Sequence, residues 1–178
     1  MRNPNRFTRR NTVGFTLMEV LIVLIIGGVI AVLVLPRIGK LFGRSEVTFE
    51  SQNVADLIGN IKGLRANGGY GAAGTNLIPQ LIVNDGLPDS LTNSAGVVTN
   101  SWGGAVTATS TGIGFALTYA APMPQAACAS LATKHSNSQV NSTKINGAAA
   151  IVGPVTQAQA AADCAAGTAN TIVWTSAN

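Results

Sequence analysis

The sequence predicts an α+β protein in which one long N-terminal helix packs on a small head. Residues 15–35 form an apolar run of 21 residues with Glu19 as the sole charge. Between Val47 and Leu64, apolar side chains recur at spacings of three, four and seven, with polar ones such as Glu50 between them, which indicates an amphipathic helix. Beyond residue 71 the chain is rich in small and polar residues, which is typical of short elements joined by loops.

The net charge of the chain is confined to its N-terminus. The 178 residues carry a formal charge of +4, and four arginines among the first ten residues account for all of it. From residue 14 onward, seven basic residues stand against seven acidic ones. The head is therefore neutral, and strong non-specific nucleic-acid binding is not expected of it.

The apolar run is long enough as a helix to cross a hydrocarbon core of about 30 Å. The arginines before it predict that the N-terminus stays in the cytoplasm and that the rest of the chain is translocated. A classical secretory signal would have a shorter apolar stretch ending in small residues, whereas Pro36 and Arg37 follow here. We therefore predict a transmembrane helix over residues 15–36.

The remaining elements follow from local signals. The amphipathic continuation covers residues 37–67, and the stretch Asn67-Gly68-Gly69 predicts its end. Thr75–Val83 is predicted to be a short helix with Thr75 as its cap and Pro79 in its first turn. Strands are predicted over Gly112–Ala120, Ile145–Ile151 and Thr171–Thr175, and alanine-rich helices over Ala126–Thr133 and Thr156–Ala166.

Glu19 is the most informative single residue, because an acid within an apolar segment is costly in lipid and rarely lacks a partner. One interpretation is that it lies near the cytoplasmic interface and reaches towards water. The alternative is that cleavage before Phe15 creates an α-amino group four residues away, which Glu19 neutralises in the same or in an adjacent subunit.

The stretch from Gly14 to Val20, GFTLMEV, followed by the apolar run and Pro36, resembles the N-terminal signature of type IV prepilins. The resemblance implies that a prepilin peptidase cuts after Gly14 and N-methylates Phe15. It also implies that Glu19 pairs with a neighbour's N-terminal amine during assembly. Gly28 and Pro36 fall on family positions that bracket a stretch often unwound in filaments, and Gly and Pro independently weaken a helix interior.

The resemblance implies a pilin fold, with a long helix packed on a small antiparallel-sheet head, and a domain order along the chain. Residues 1–14 would be a basic leader, 15–36 the assembly helix, 37–67 its amphipathic continuation and 68–178 the head. The precursor would sit in the bacterial inner membrane and the mature chain in an extracellular filament. Prepilin peptidase, an assembly platform and an ATPase are the implied partners, besides other copies of the chain.

The type of pilin and its role remain open at the level of sequence. Residues Asn53–Pro88 loosely resemble type IVb pilins such as those of conjugative thin pili, whereas the 14-residue leader and Phe15 look more like type IVa. A structural subunit serving adhesion or conjugation is the main hypothesis. The alternatives are a minor pilin or tip adhesin with a ligand-binding head, and a pseudopilin of type II secretion.

Cys128 and Cys164 are the only cysteines, and an even pair in an exported domain predicts a disulfide. Such a bond would stabilise the fold by roughly 4 kcal/mol in the chain-entropy model. Two cysteines and one histidine make a poor metal site. By resemblance, the bond delimits a surface region, residues 129–163, in which partner contacts are expected.

No catalytic constellation supports an enzyme, and no cofactor is expected. His135 lies in a polar stretch and is predicted to be an exposed loop residue. Asp85 and Asp89 are predicted to form a turn rather than a calcium site. Trp102 and Trp174 are predicted to anchor the core or a subunit contact.

Overall fold

The structure, a computed structural model, describes residues 16–66, 68–137 and 139–177, without the side chains of residues 34–44. The predicted leader, residues 1–14, lies outside the described residues. The chain divides into two units, Met1–Phe42 and Gly43–Asn178. The first unit contributes the N-terminal part of helix α1, and the second contains the rest of α1 and the head.

The head combines short helices with one antiparallel sheet. In chain order the elements are α1 (Leu17–Gly63), α2 (Ile78–Val83), β1 (Thr92–Ser94), β2 (Val97–Thr99), β3 (Ala105–Ser110), β4 (Phe115–Tyr119), α3 (Gln125–His135), β5 (Ser142–Ile145), β6 (Ile151–Val152), α4 (Gln157–Asp163) and β7 (Ile172–Ser176). The seven strands lie in the order β1-β2-β3-β4-β7-β5-β6, and every pairing is antiparallel. The C-terminal strand β7 is therefore central in the sheet, and the described architecture is the predicted α+β class.

The core of the second unit forms between α1 and the sheet. Alternate residues of β4 and β7 are buried, as expected of strands with one covered face. The α1 residues at the predicted apolar spacing, including Val54, Leu57, Ile58 and Ile61, are at most 1% exposed and belong to the same core cluster. The amphipathic spacing read from the sequence is thus confirmed for this part of α1.

Several predicted elements are confirmed and others are corrected. Helices α3 and α4 and strands β4 and β7 lie where they were predicted. The helix α2 begins at Ile78, and Asn76 rather than Thr75 accepts the Ile78 N–H, at 3.0 Å. The strand predicted over Ile145–Ile151 is wrong, because Asn146 and Gly147 have φ values of 47° and 78° and form a turn that separates β5 from β6.

The chain leaves α1 through a glycine-rich turn, as the sequence predicted. Helix α1 ends at Gly63, slightly before the predicted stop. Gly69 has φ 121°, and a Cβ there would lie 2.3 Å from the carbonyl oxygen of Gly112. Only glycine allows the chain to pass so close to the β3–β4 turn.

Candidate assembly site

The residues of the predicted cleavage site, Gly14 and Phe15, lie outside the described residues. Glu19 is exposed in the first turn of α1. Its backbone N–H donates to the carbonyl and the hydroxyl of Thr16, at 3.0 and 3.3 Å, so that Thr16 caps the helix start. Within the described part of the chain, the Glu19 carboxylate has no hydrogen-bond or ion-pair partner. A carboxylate at a helix N-terminus also interacts favourably with the helix dipole.

The described part of α1 after Glu19 exposes a continuous apolar surface. Large apolar side chains between Leu17 and Leu33 are 47% to 84% exposed. On one side Leu24, Gly28 and Val32 follow each other one helical turn apart and line a groove of about 410 Å³. An apolar surface of this extent marks a contact with lipid or with another chain.

Within the described residues, the structure contains no helix with the length and apolar character required to span a membrane. Phe15, the first residue of the predicted span 15–36, lies outside the described residues, and the side chain of Pro36 is not described. Gly28 is helical, and a Cβ added to it would meet no described atom within 4 Å outside its own helix backbone. Unwinding between Gly28 and Pro36 in a filament stays a prediction.

The predicted disulfide is confirmed. Cys128 in α3 and Cys164 after α4 are joined at an S–S distance of 2.00 Å, and both are buried. Thr156 and Gln159 form a reciprocal capping box that starts α4. Gln125 in the first turn of α3 donates its side-chain N–H to the carbonyl of Cys164 at 2.9 Å, so the two helices are also tied by a hydrogen bond.

Two asparagines, Asn146 and Asn170, connect the disulfide-bounded region to the segments that flank it. Asn170 is fully buried, and its Nδ2 donates to the carbonyl of Met123 at 3.0 Å. Its Oδ1 accepts from Asn146 Nδ2 at 2.8 Å, and that same Nδ2 donates to the Asp163 carbonyl at 2.9 Å. Asn146 Oδ1 in turn accepts the Thr171 N–H at 2.7 Å. The β5–β6 turn, α4 and β7 therefore meet at these two side chains, which sequence reasoning did not single out.

Glu50 departs from the prediction for α1. The sequence pattern placed it among the polar side chains between the apolar ones, whereas the structure buries it fully. Its Oε1 accepts from the backbone N–H of Ser101 at 2.6 Å and from the Ser101 hydroxyl. Its Oε2 accepts from Asn53 Nδ2 at 3.2 Å. Burial raises the pKa of Tyr119 well above its usual range, and the charge of nearby Glu50 raises that pKa further.

The prediction that His135 lies in an exposed loop is also wrong. His135 is 7% exposed and is the last residue of α3. A hydrogen bond of 3.0 Å joins its Nε2 to Ser51 Oγ of α1, and its ring packs edge-on against Trp174. Burial lowers the pKa of His135 to about 4, and the charge of Lys134 lowers it in the same direction. The signal for burial was present in the sequence, because residues 128, 131, 132 and 135 share helical spacing.

The remaining predicted residues behave as follows. Trp174 is fully buried in the core, as predicted, and Trp102 is half-buried with its Nε1 donating to Glu46 Oε2 at 3.1 Å. Asp85 and Asp89 lie in turns, as predicted, and Asp85 has φ 54°. Among the described residues, no group of three or more metal-ligating side chains is brought together.

Comparison with known proteins agrees with this architecture. A family model described as prokaryotic N-terminal methylation motif matches residues 9–35, and one described as PilS N terminal matches residues 44–177. The crystal structure of type IV b pilin from Salmonella typhi matches with a TM-score of 0.57 and 25% identity, over 75% of this chain and 99% of that chain. No curated protein gives a significant match.

The α1 helix on a small antiparallel sheet, with the methylation motif extending into the first part of that helix, is the arrangement of a pilin. The chain belongs to the type IV prepilin family represented by the PilS N-terminal model, and it resembles type IVb pilins. The resemblance of the region after Asn53 to type IVb pilins is thus confirmed. The family and the fold are those of structural subunits. The motif implies a membrane-anchored precursor that is processed by prepilin peptidase for pilus assembly.

Proposed function

We propose that this chain is the structural subunit of a type IV pilus filament, cleaved after Gly14, N-methylated on Phe15 and polymerised through its N-terminal helix. The observation that carries the proposal is the methylation motif over residues 9–35 in a chain whose remainder matches a pilin family. The cleavage would remove residues 1–14, which hold the excess of positive charge.

The exposed apolar surface of α1 supports polymerisation through that helix. In the membrane its side chains face lipid, and in a filament they face the helices of other subunits. This exchange replaces one apolar environment by another, so it is feasible without a large gain in free energy. We therefore expect assembly to depend on machinery, namely an inner-membrane platform and a cytoplasmic ATPase.

Glu19 is the second support. Its carboxylate has no partner among the described residues, and a charge of this kind in an apolar environment needs one. The amine of Phe15, created by cleavage in a neighbouring subunit, would supply that partner. We infer a single-pass precursor with a cytoplasmic N-terminus and a mature chain in an extracellular filament that serves adhesion, conjugation or a related surface function.

The first test is the intact mass and N-terminal residue of protein sheared from the cell surface. The expected mass lacks residues 1–14, includes one added methyl group on Phe15 and retains the bond between Cys128 and Cys164. An intact leader, or a cut elsewhere without a sheared polymer, would overturn the proposal.

A variant separates processing from assembly. Glu19→Ala should be cleaved normally but should give few filaments, because the neighbour's amine loses its counter-charge. Glu46→Ala is the matched control, since Glu46 is also an exposed glutamate of α1 and makes one hydrogen bond at the head. Normal filament yield from Glu19→Ala would contradict the charge-pairing role.

A further inference from the structure

The second unit carries an open furrow along a side of α1 that the core does not use. Two adjoining grooves of about 460 and 470 Å³ share Asp85 and run between α1 and the segment 84–90. The α1 residues that line them recur at helical spacing: Phe49, Gln52, Asn53, Asp56, Gly59 and Gly63. Asn60 donates its Nδ2 to the carbonyl of Gly86 at 2.9 Å, which holds the segment against the helix.

This acidic furrow, defined as α1 from Phe49 to Gly63 together with segment 84–90, combines negative charge with exposed apolar surface. Asp56, Asp85 and Asp89 are all exposed, and none of them forms an ion pair within the described residues. Phe49 at its rim is 56% exposed although it is a large aromatic side chain. Aromatic residues are enriched in surfaces that another protein covers, and polar groups form the rim of such surfaces.

The opposite flank of α1 has the complementary charge. At about 100° per residue, Lys62 and Ser51 lie on the same side of α1, about 16 Å apart along its axis and about 120° to 140° around it from Asp56. The buried residues Leu57 and Ile58 lie on the remaining side of α1, which faces the core. The end of α3 reaches α1 on this flank, through the bond between Ser51 and His135.

Lys134 is exposed at that end of α3, and Lys62 is half-exposed on α1. Together they define the basic flank. Neither lysine forms an ion pair within the residues that the structure describes. Three exposed acids thus lie on one side of α1, and two lysines lie on another.

We propose that the acidic furrow docks the basic flank of a second copy of this chain. The inference rests on the proposed polymerisation and names the head surfaces that meet in it. The two patches differ, so the contact is heterologous and generates an open array rather than a closed dimer. Opposite charges on the two patches would steer adjacent heads into register, and the exposed ring of Phe49 would be covered.

The experiment introduces one cysteine on each surface. A chain carrying Asp56→Cys and Lys134→Cys is assembled into filaments, sheared, oxidised and separated without reductant. Asp56 lies on α1 in the furrow and Lys134 lies at the end of α3 on the basic flank, so a bond between them should join neighbouring subunits and give a ladder of oligomers. Peptide mapping should show the bond from Cys128 to Cys164 still intact.

The control pair keeps Asp56→Cys and places the second cysteine at Lys144. Lys144 is exposed on β5, where its neighbours Thr143 and Ile145 are buried, so it lies on the outer face of the sheet. This pair should give no ladder. A ladder of equal strength from both pairs would reflect random collision and would overturn the proposal.

Charge reversal provides the second, independent arm. Asp56→Lys alone and Lys134→Glu alone should each lower the yield of sheared filaments about tenfold, because each places like charges opposite one another. The combination of the two should restore the yield to within about twofold of the parent chain. Rescue also shows that the single variants fold, since a folding defect would not be corrected by a second substitution on another surface.

The modes of failure are distinguishable. If the parent chain gives no processed polymer, the proposed function fails and the docking surface fails with it. If the parent polymerises while Asp56→Lys is unaffected and the cysteine pair gives no ladder, the function stands and this contact is wrong. A calcium-dependent rise in Tm that Asp56→Asn removes, without a ladder, would assign the furrow to a cation and overturn the docking proposal.

Discussion

Replacing Glu50 by alanine should remove the hydrogen bonds that join α1 to the β2–β3 turn, at a considerable cost in stability. The carboxylate is fully buried and accepts two hydrogen bonds from Ser101 and one from Asn53. A hydrogen bond to a charged group contributes about 1.5–3 kcal/mol. Allowing for partial rehydration of the exposed Ser101, we expect a loss of about 3 kcal/mol in the free energy of unfolding, or about 10 °C in Tm.

The measurement is thermal unfolding of the detergent-solubilised full chain, followed by near-UV circular dichroism. Glu46→Ala is the matched control, because Glu46 lies one turn earlier on α1 and accepts one exposed hydrogen bond from Trp102. It should change stability by no more than about 0.5 kcal/mol. Glu50→Gln should fall between the two, since it keeps an acceptor for Ser101 and loses the charge. Equal effects of the two alanine variants would refute the role assigned to burial.

Three further predictions concern the head. His135 has a pKa of about 4 in the fold and about 6.5 when unfolded, so between these values the unfolded chain binds a proton that the folded chain does not. The free energy of unfolding should therefore fall by up to about 3 kcal/mol as pH drops from about 6.5 to about 4. His135→Phe should flatten that pH dependence in urea titrations. Removing the disulfide by Cys128→Ser with Cys164→Ser should lower the free energy of unfolding by about 4 kcal/mol, measured beside the reduced parent chain. Asn146→Asp should lower the free energy of unfolding by about 2 kcal/mol, because a carboxylate cannot donate to the two oxygens that Asn146 Nδ2 now contacts. Asn93→Asp is the control and should leave stability unchanged, because a carboxylate can still accept the Gly96 N–H.

The parts of the fold that the sequence predicted are those that depend on the spacing and type of residues close together in the chain, and on the single pair of cysteines. The spacing of Val54, Leu57 and Ile61 predicted the buried face of α1, and the pair of cysteines predicted the disulfide. Strands β1 to β3 were not predicted, because their residues are mostly Thr, Ser, Ala and Asn with little apolar alternation. Their position follows from pairing with β4, which is a long-range effect.

The errors at Glu50 and His135 have a common physical cause. Sequence patterns assign charged and polar residues to the surface, and that assignment fails when a partner from elsewhere in the chain satisfies the group. Ser101 satisfies Glu50 across 51 residues, and Ser51 bonds His135 across 84. The acidic furrow could not be predicted for the same reason, because only the folded head places segment 84–90 against α1.

The buried polar contacts also explain how α1 is held in one register. Its apolar positions recur at three and four residues, so a shift by three residues would place Val54, Ile58 and Ile61 onto apolar sites again. Packing alone therefore distinguishes such registers weakly. A shift would, however, remove Glu50 from Ser101 and Asn60 from the Gly86 carbonyl, which leaves the buried Glu50 carboxylate without its partner outside α1. A polar group that is satisfied in a single register penalises the alternatives, so these contacts specify the position of α1 more than they add to its stability.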